Sequence, residues 1–422
     1  MKTPGSMATG AAIGSRRLQS LKPTWRTLLM TRTRRLVQLA FLALVLSGVF
    51  IFRANCELWC PFGGVEAFYT YATDGNMLCS LGTSNFFILG GVLLSVVLLR
   101  RAFCGYMCPI GAISEWLGGL GERLGLAPWR VPARLDQVLG LLKYAVLAIV
   151  LTATWRAGEL LFRGYDPCYA LISRHGTDIT HWAYVVAGTA AAASLVISLP
   201  LCRWLCPFGA VLAPFSRVAL ARVRREESAC TGCGQCSRRC PMGIPVDSMQ
   251  QVKDGRCTSC LACVEACPKR AAGALSWGPP KSVGQSWSQP ALIAIMVACT
   301  SAAVAASHAF PIPSFVKTRG TAPAVTAAVD LEIHDLTCRG RANLLVYYLE
   351  RDDLLAIDGY WKLEAWPDPT LARVRISYDP DRCDEAAVRM AVTEPYYDAA
   401  GNLWRPSPFV IEGYDPLDAA AP

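Results

Sequence analysis

The chain has 422 residues, of which 53% are hydrophobic and 17% charged, against about 25% charged in an average soluble domain. With a mean hydropathy of +0.31 this excludes an ordinary soluble enzyme and points to a membrane protein. Nineteen cysteines in so long a chain exclude a small disulfide-stapled secreted scaffold and favour metal or redox use. The net charge of +9 is uneven: residues 307–422 hold 11 Lys+Arg against 18 Asp+Glu, and the remainder 30 against 14. That asymmetry implies two environments and gives no reason to invoke nucleic acid.

Residues 1–35 form a basic N-terminal segment with eight Lys+Arg and no acid. Five apolar runs follow, each near the ~20 residues needed to cross hydrocarbon: 36–52, 86–100, 138–154, 183–200 and 290–306. Arg34-Arg35 before the first run resembles a twin-arginine signal, but no small-residue cleavage site follows, so an uncleaved helix is expected. The positive-inside rule puts the N-terminus, loop 101–137 and segment 201–289, with 12 Lys+Arg, on the cytoplasmic side. Loops 53–85 and 155–182 and the acidic tail fall outside.

The expected organisation is a four-helix membrane domain at 36–220, a two-cluster ferredoxin domain at 221–275, a linker at 276–289, the fifth helix at 290–306 and a small domain at 325–416. In the last, strand, helix, two strands, helix and strand are expected at 328–336, 343–355, 359–380, 384–397 and 407–414. That order, βαββαβ, is ferredoxin-like. The fold class is thus an α-helical polytopic membrane protein with about five transmembrane helices, an inserted bacterial-type ferredoxin domain and a C-terminal α+β domain.

The strongest motif is "CTGCGQCSRRCPMGIP" followed by "CTSCLACVEACPKRA". Both are C-x2-C-x2-C-x3-C-P, the run that wraps three corners of a [4Fe–4S] cube and sends its fourth cysteine to the other cube. One cluster is therefore assigned to Cys230, Cys233, Cys236 and Cys267, the other to Cys257, Cys260, Cys263 and Cys240. Zinc on the C-x2-C pairs is the rival. A second motif, C-x3-C-P-x-G, occurs three times, at Cys56/Cys60, Cys104/Cys108 and Cys202/Cys206. The last two follow the second and fourth runs at their cytoplasmic ends, so four thiols converge there as a third metal site, unless they are buried inert cysteines. The first pair lies on the opposite face, where Cys79 and Cys168 complete a set of four; a cluster and disulfides both remain open. His175 and His181 are loop histidines, and Cys299 reads as packing.

The stretches "CPFGGVEAFY", "RAFCGYMCPIGAISEWLG", "YDPCYALI" and "CRWLCPFGAV", with the tandem ferredoxin runs, resemble the membrane-bound polyferredoxins over roughly residues 36–275. Members act in periplasmic nitrate reduction, methylamine utilisation and nitrous-oxide respiration. The resemblance implies a multi-pass protein of the bacterial inner membrane. It further implies two [4Fe–4S] clusters, with one or two more at the C-x3-C-P cysteines. The expected function is electron transfer between a quinone pool or a cytoplasmic donor and a protein redox partner, as an electron-transfer component rather than a stand-alone enzyme. The tail "VDLEIHDLTCRGRANLL" is similar to a heavy-metal-associated domain, with Cys338 at the first cysteine of its metal loop and Arg341 at the second. A related class reduces copper during oxidase assembly, so metal handling or a regulatory role stands as the alternative.

Overall fold

The structure, a computed structural model, describes residues 25–53, 60–74, 76, 83–157, 161–173, 179–280, 286–353, 355–368, 370–398 and 403–414. Helix α1 (Trp25–Phe50) begins within the basic segment rather than after it. Helices α2 (Pro61–Asp74), α3 (Thr83–Leu99), α4 (Ala102–Tyr106), α5 (Pro109–Arg123), α6 (Ala133–Leu139), α7 (Leu142–Ala157) and α8 (Pro167–Ile172) follow, then α9 (His181–Ser194), α10 (Pro200–Trp204) and α11 (Pro207–Arg217). Among the described residues three stretches are long and apolar enough to cross a membrane: Thr31–Phe50, Ala133–Ala157 and Gln289–Ala309.

Two of the expected spans are shorter. Helix α3 has 17 residues and α9 has 14, below the ~20 that cross hydrocarbon untilted. Helix α9 ends at Ser194 with Leu195 as its C-cap, and a turn over 195–199 then leads to Leu199, left-handed at φ 52, and to Pro200, which opens α10. Small residues then let the helices approach. A Cβ on Gly121 of α5 would lie 1.9 Å from the Leu195 carbonyl, and the Ser114 and Ser194 hydroxyls meet at 2.8 Å. Helix α14 (Gln289–Ala309), the Ala-rich fifth run, lies along α3, where Gly91 leaves room for the Cys299 carbonyl and the Ala303 methyl.

The ferredoxin unit is closed by strands β1 (Arg222–Arg225) and β2 (Leu275–Gly278), paired antiparallel. The expected linker therefore begins later than 276. Trp287 also folds back, donating its N–H to the Trp277 carbonyl and packing edge-on to that ring. Short helices α12 (Gln235–Arg238) and α13 (Ala262–Glu265) sit within the two cysteine loops. One hydrophobic core runs unbroken from Val92, Val96 and Leu99 of α3 to Val223, Met242 and Ile244 of this unit.

The C-terminal unit has its own core. Strands β3 (Phe315–Thr318), β4 (Ala327–Ile333), β5 (Tyr360–Trp366) and β6 (Ala372–Tyr378) form an antiparallel sheet in the order β3-β5-β6-β4. Helices α15 (Arg339–Leu349) and α16 (Glu385–Thr393) contact one another and contribute Leu345, Leu349 and Val388 to that core. The expected strand 407–414 is reduced to one bridge, Ile333 to Ile411; Pro408 has no N–H to add to a ladder and Ser407 donates to the Val392 carbonyl instead. A hairpin of β7 (Tyr396–Asp398) and β8 (Leu403–Arg405), which no periodicity announced, completes the unit.

Candidate metal centres

The two ferredoxin loops share one backbone design. In the first, Gly232 and Gly234 take φ of 67° and 66°; in the second, Ser259 and Leu261 occupy the matching places at 48° and 61°. The left-handed turns curl each loop so that backbone N–H groups face the sulfurs: Gly232 donates toward Cys230 and Ser259 toward Cys257. The fourth cysteines cross over. Cys267 lies within electrostatic reach of Cys233, Cys236 and Cys230, and Cys240 within reach of Cys260 and Cys257, with Cys263 beside all three. Cys240, Cys257, Cys260 and Cys263 line one pocket floored by Met242 and Ile244.

The C-x3-C-P-x-G motif has a helix-cap explanation. Cys108 and Cys206 are the N-cap residues of α5 and α11, each followed by Pro at the first helical position, where a missing N–H costs nothing. The glycine three residues on donates its N–H toward the cysteine sulfur, at 3.4 Å for Gly209 and Cys206, and Gly111 does so for Cys108. A side chain on Gly111 would strike the Cys104 carbonyl at 2.6 Å. Cys104, Cys108, Cys202 and Cys206 lie within mutual electrostatic reach, so the turns after α3 and α9 bring these four thiols together.

This set abuts the ferredoxin unit. A Cβ on Gly105 would sit 3.0 Å from the Thr258 carbonyl, and one on Gly255 would sit 2.6 Å from that of Ala213. Polar clamps missed by the sequence reading hold the joint. Arg100 donates to the carbonyls of Val252, at 2.6 Å, and Asp254. Asp136, which is 4% exposed, accepts from Arg203 (2.6 Å), Trp204 (2.8 Å) and Arg256 (2.5 Å). Arg203 lies inside the Cys202–Cys206 motif and Arg256 precedes Cys257. From α1, Arg34 pairs with Glu115 and donates to the Cys260 carbonyl (2.9 Å). The available signal was a lone acid opening an apolar run and arginines flanking cysteines.

Cys56, Cys79 and His175 lie outside the described residues. Cys60 precedes α2, and its sulfur accepts from the Gly63 and Phe62 backbone. Asp166, N-cap of α8, binds the Cys168 N–H (3.0 Å) and stands within reach of both Cys60 and Cys206. The first motif was expected to stand apart from the other two; instead Phe62 packs edge-on against Phe208 (6.4 Å), which meets Phe103 (6.3 Å). Apolar packing of Phe62 and Phe208, from the first and third C-P-Phe turns, and of Phe103, before Cys104, draws the motifs together. His181 opens α9, and Cys299 is buried in the α3–α14 contact. Cys338 is the N-cap of α15, whereas Cys383 is buried and donates to the Asp384 carbonyl.

Among the described residues no three Cys, His, Asp or Glu side chains converge as they do around a single ion. A cuboidal cluster asks for something else: each thiolate takes its own iron corner, so the ligands ring the cube. Burial pushes the Cys240 thiol up to about 12, and the charges of Cys260 and Cys257 add to it. A dry ring of thiols keeps its thiolates when irons supply the opposing charge, and these donors fit [4Fe–4S] on that ground.

A 4Fe-4S binding domain matches residues 81–126 and again 179–226, and a 4Fe-4S dicluster domain matches 222–268. YccM of Escherichia coli K12 is 31% identical over 229 residues, 53% of this chain and 64% of that protein, so the chain spans somewhat less than two thirds of it. The methylamine utilization ferredoxin-type protein MauN of Methylorubrum extorquens is 30% identical over 49% of this chain and 73% of its own length. The ferredoxin-type protein NapH of Haemophilus influenzae is 26% identical over 56% and 86%. No solved structure matches.

Proposed function

Because this chain belongs to the membrane-bound polyferredoxins, iron–sulfur proteins of electron transport, we propose that it relays electrons between a membrane quinone pool or a cytoplasmic donor and a protein redox partner. The reading assigns three [4Fe–4S] clusters: one to Cys230, Cys233, Cys236 and Cys267, one to Cys257, Cys260, Cys263 and Cys240, and one to Cys104, Cys108, Cys202 and Cys206. Such clusters supply one-electron chemistry with little change in their thiolate cage. The protein's own residues keep the sites dry, aim backbone N–H groups at sulfur and lock one site against the next.

The observation that carries this reading is the contact of Gly105 with Thr258. It joins the turn beside Cys104 to the loop beside Cys257, so the membrane set and a ferredoxin set are neighbours rather than separate devices. The Phe62–Phe208–Phe103 contacts extend the series toward Cys60, and we read the sequence set of Cys56, Cys60, Cys79 and Cys168 as a fourth site, holding a cluster or disulfides. Five crossings with a cytoplasmic ferredoxin unit and a periplasmic C-terminal unit agree with the distribution of basic residues.

We read the C-terminal unit as a ferredoxin-like, heavy-metal-associated-type domain that docks the partner. Its loop offers Cys338 with Arg341 in place of a second thiol, which favours electron transfer over metal delivery. Anaerobic purification with iron and sulfide counts tests the assignment. About twelve irons per chain are expected, and about sixteen if the fourth set is filled, at four per cluster; about eight refutes the membrane site. Steady oxidation of a quinol by the purified chain, read with an artificial acceptor, tests the quinone role.

A further inference from the structure

Arg101 is 1% exposed, yet its Nε and Nη1 have no hydrogen-bond partner among the described residues. Its Nη2 lies 4.0 Å from Cys104 Sγ and 2.6 Å from where a Cβ on Gly209 would be. The guanidinium therefore rests over the first turn of α11, whose N-cap is Cys206. A cation there faces the positive end of a helix and is cut off from water. That combination is stable only with an anion between them. Groups within its electrostatic reach that can carry negative charge include Cys104, Cys206 and Cys202. Lys143, 3% exposed and within reach of Arg101 and Cys206, is a second cation beside the same set.

The backbone directs this arrangement. Arg100 takes φ of 64°, a region costly for a side-chain-bearing residue. Two adjacent arginines consequently part: Arg100 turns to the carbonyls of Val252 and Asp254, and Arg101 turns to the thiols. The first fastens the ferredoxin loop to the membrane helices. The second keeps Nε and Nη1 without partners among the described residues while its Nη2 stands beside the Cys104 thiol.

We propose that Arg101 is the positioning residue of the cluster held by Cys104, Cys108, Cys202 and Cys206, donating to its sulfurs and holding its reduction potential up. The inference rests on the reading that these cysteines bind a cluster. Reduction adds one electron to an already anionic centre, so a buried fixed cation stabilises the reduced form more than the oxidised one.

The test uses the full chain in detergent, wild type against Arg101→Met and Arg101→Lys, by iron count and EPR-monitored redox titration. The signal of this site is the one lost in Cys104→Ser. Arg101→Met with full iron is expected to titrate at lower potential, with at least a tenfold change in the reduced-to-oxidised ratio, 59 mV for one electron. The ferredoxin signals stay in place, and Arg101→Lys recovers most of the shift. Loss of about four irons in Arg101→Met but not in Arg101→Lys also supports a need for charge. An unmoved potential at full iron, or loss of the cluster in both variants, overturns the proposal. Wild type with about eight irons refutes the cluster reading itself, and the proposal with it, before any variant is made.

Discussion

Replacing Asp136 by Ala removes the one carboxylate that Arg203, Trp204 and Arg256 share. The Arg203 and Asp136 side chains are 7% and 6% exposed, so the variant leaves a guanidinium buried without its counter-ion, worth about 3–5 kcal/mol. Arg256 is 17% exposed and keeps Asp254 at 2.8 Å, so it adds only about 0.5–1 kcal/mol. The lost Trp204 bond adds about 1 kcal/mol. A total of about 4.5–7 kcal/mol falls on the joint between the α10 turn and the loop before Cys257, whereas Asp136→Asn, which keeps an acceptor for Trp204 but no counter-charge, should recover only about 1 kcal/mol of it. Hydrogen exchange on the full chain reads this directly. The Val252 and Cys257 amides, bonded to the Val223 and Asp254 carbonyls, should open at least about a thousandfold more often, since three decades are about 4 kcal/mol and the loss is larger. Adding Arg203→Met to Asp136→Ala should restore about 2–3 kcal/mol, because the stranded charge is gone. Unchanged exchange in Asp136→Ala, or no coupling between the two sites, would refute the account.

Cys240→Ser should strip the cluster wrapped by the second loop although Cys240 belongs to the first, and Cys267→Ser should do the converse; each loses about four irons, with different EPR signals surviving. A Cβ on Gly232 meets nothing within 4 Å, so Gly232→Ala isolates the cost of φ 67°, about 1–2 kcal/mol, seen as a lower melting temperature at full iron. In the C-terminal unit, Arg351 is fully buried and holds Asp353 and the carbonyls of Ala391, Glu394 and Pro395. Arg351→Met should therefore cost about 3–5 kcal/mol in the melting of residues 325–416. Burial alone would raise the Asp353 pKa, but the Arg351 bonds and the Leu355 and Tyr397 N–H groups bring it below the ordinary carboxylate range. That contribution is complete at neutral pH and is lost as pH falls through the depressed value, below about 4; Arg351→Met should flatten this acid-side loss in a pH series of melting temperatures.

The cysteine loops were legible because their ligands are local: three cysteines within seven residues and a glycine three residues past a cysteine are patterns that chain geometry alone makes meaningful. The β4, β5 and β6 strands and their helices were equally local, since alternation and helical period act over one element; the last strand was misjudged because one bridge to Ile333, not a ladder, is all that forms. Span lengths were overstated for 183–200, where hydropathy continues through the turn at 195–199 although the helix has stopped at Ser194. What the sequence by itself determined is a membrane chain with tandem ferredoxin-type cysteine loops and a second motif repeated three times. What only the tertiary structure decided is how those parts meet. Arg100 reaches Val252 across 152 positions and Arg203 reaches Asp136 across 67. A buried charge finds its partner through the packing of whole elements, and no local pattern in the chain records which partner that is.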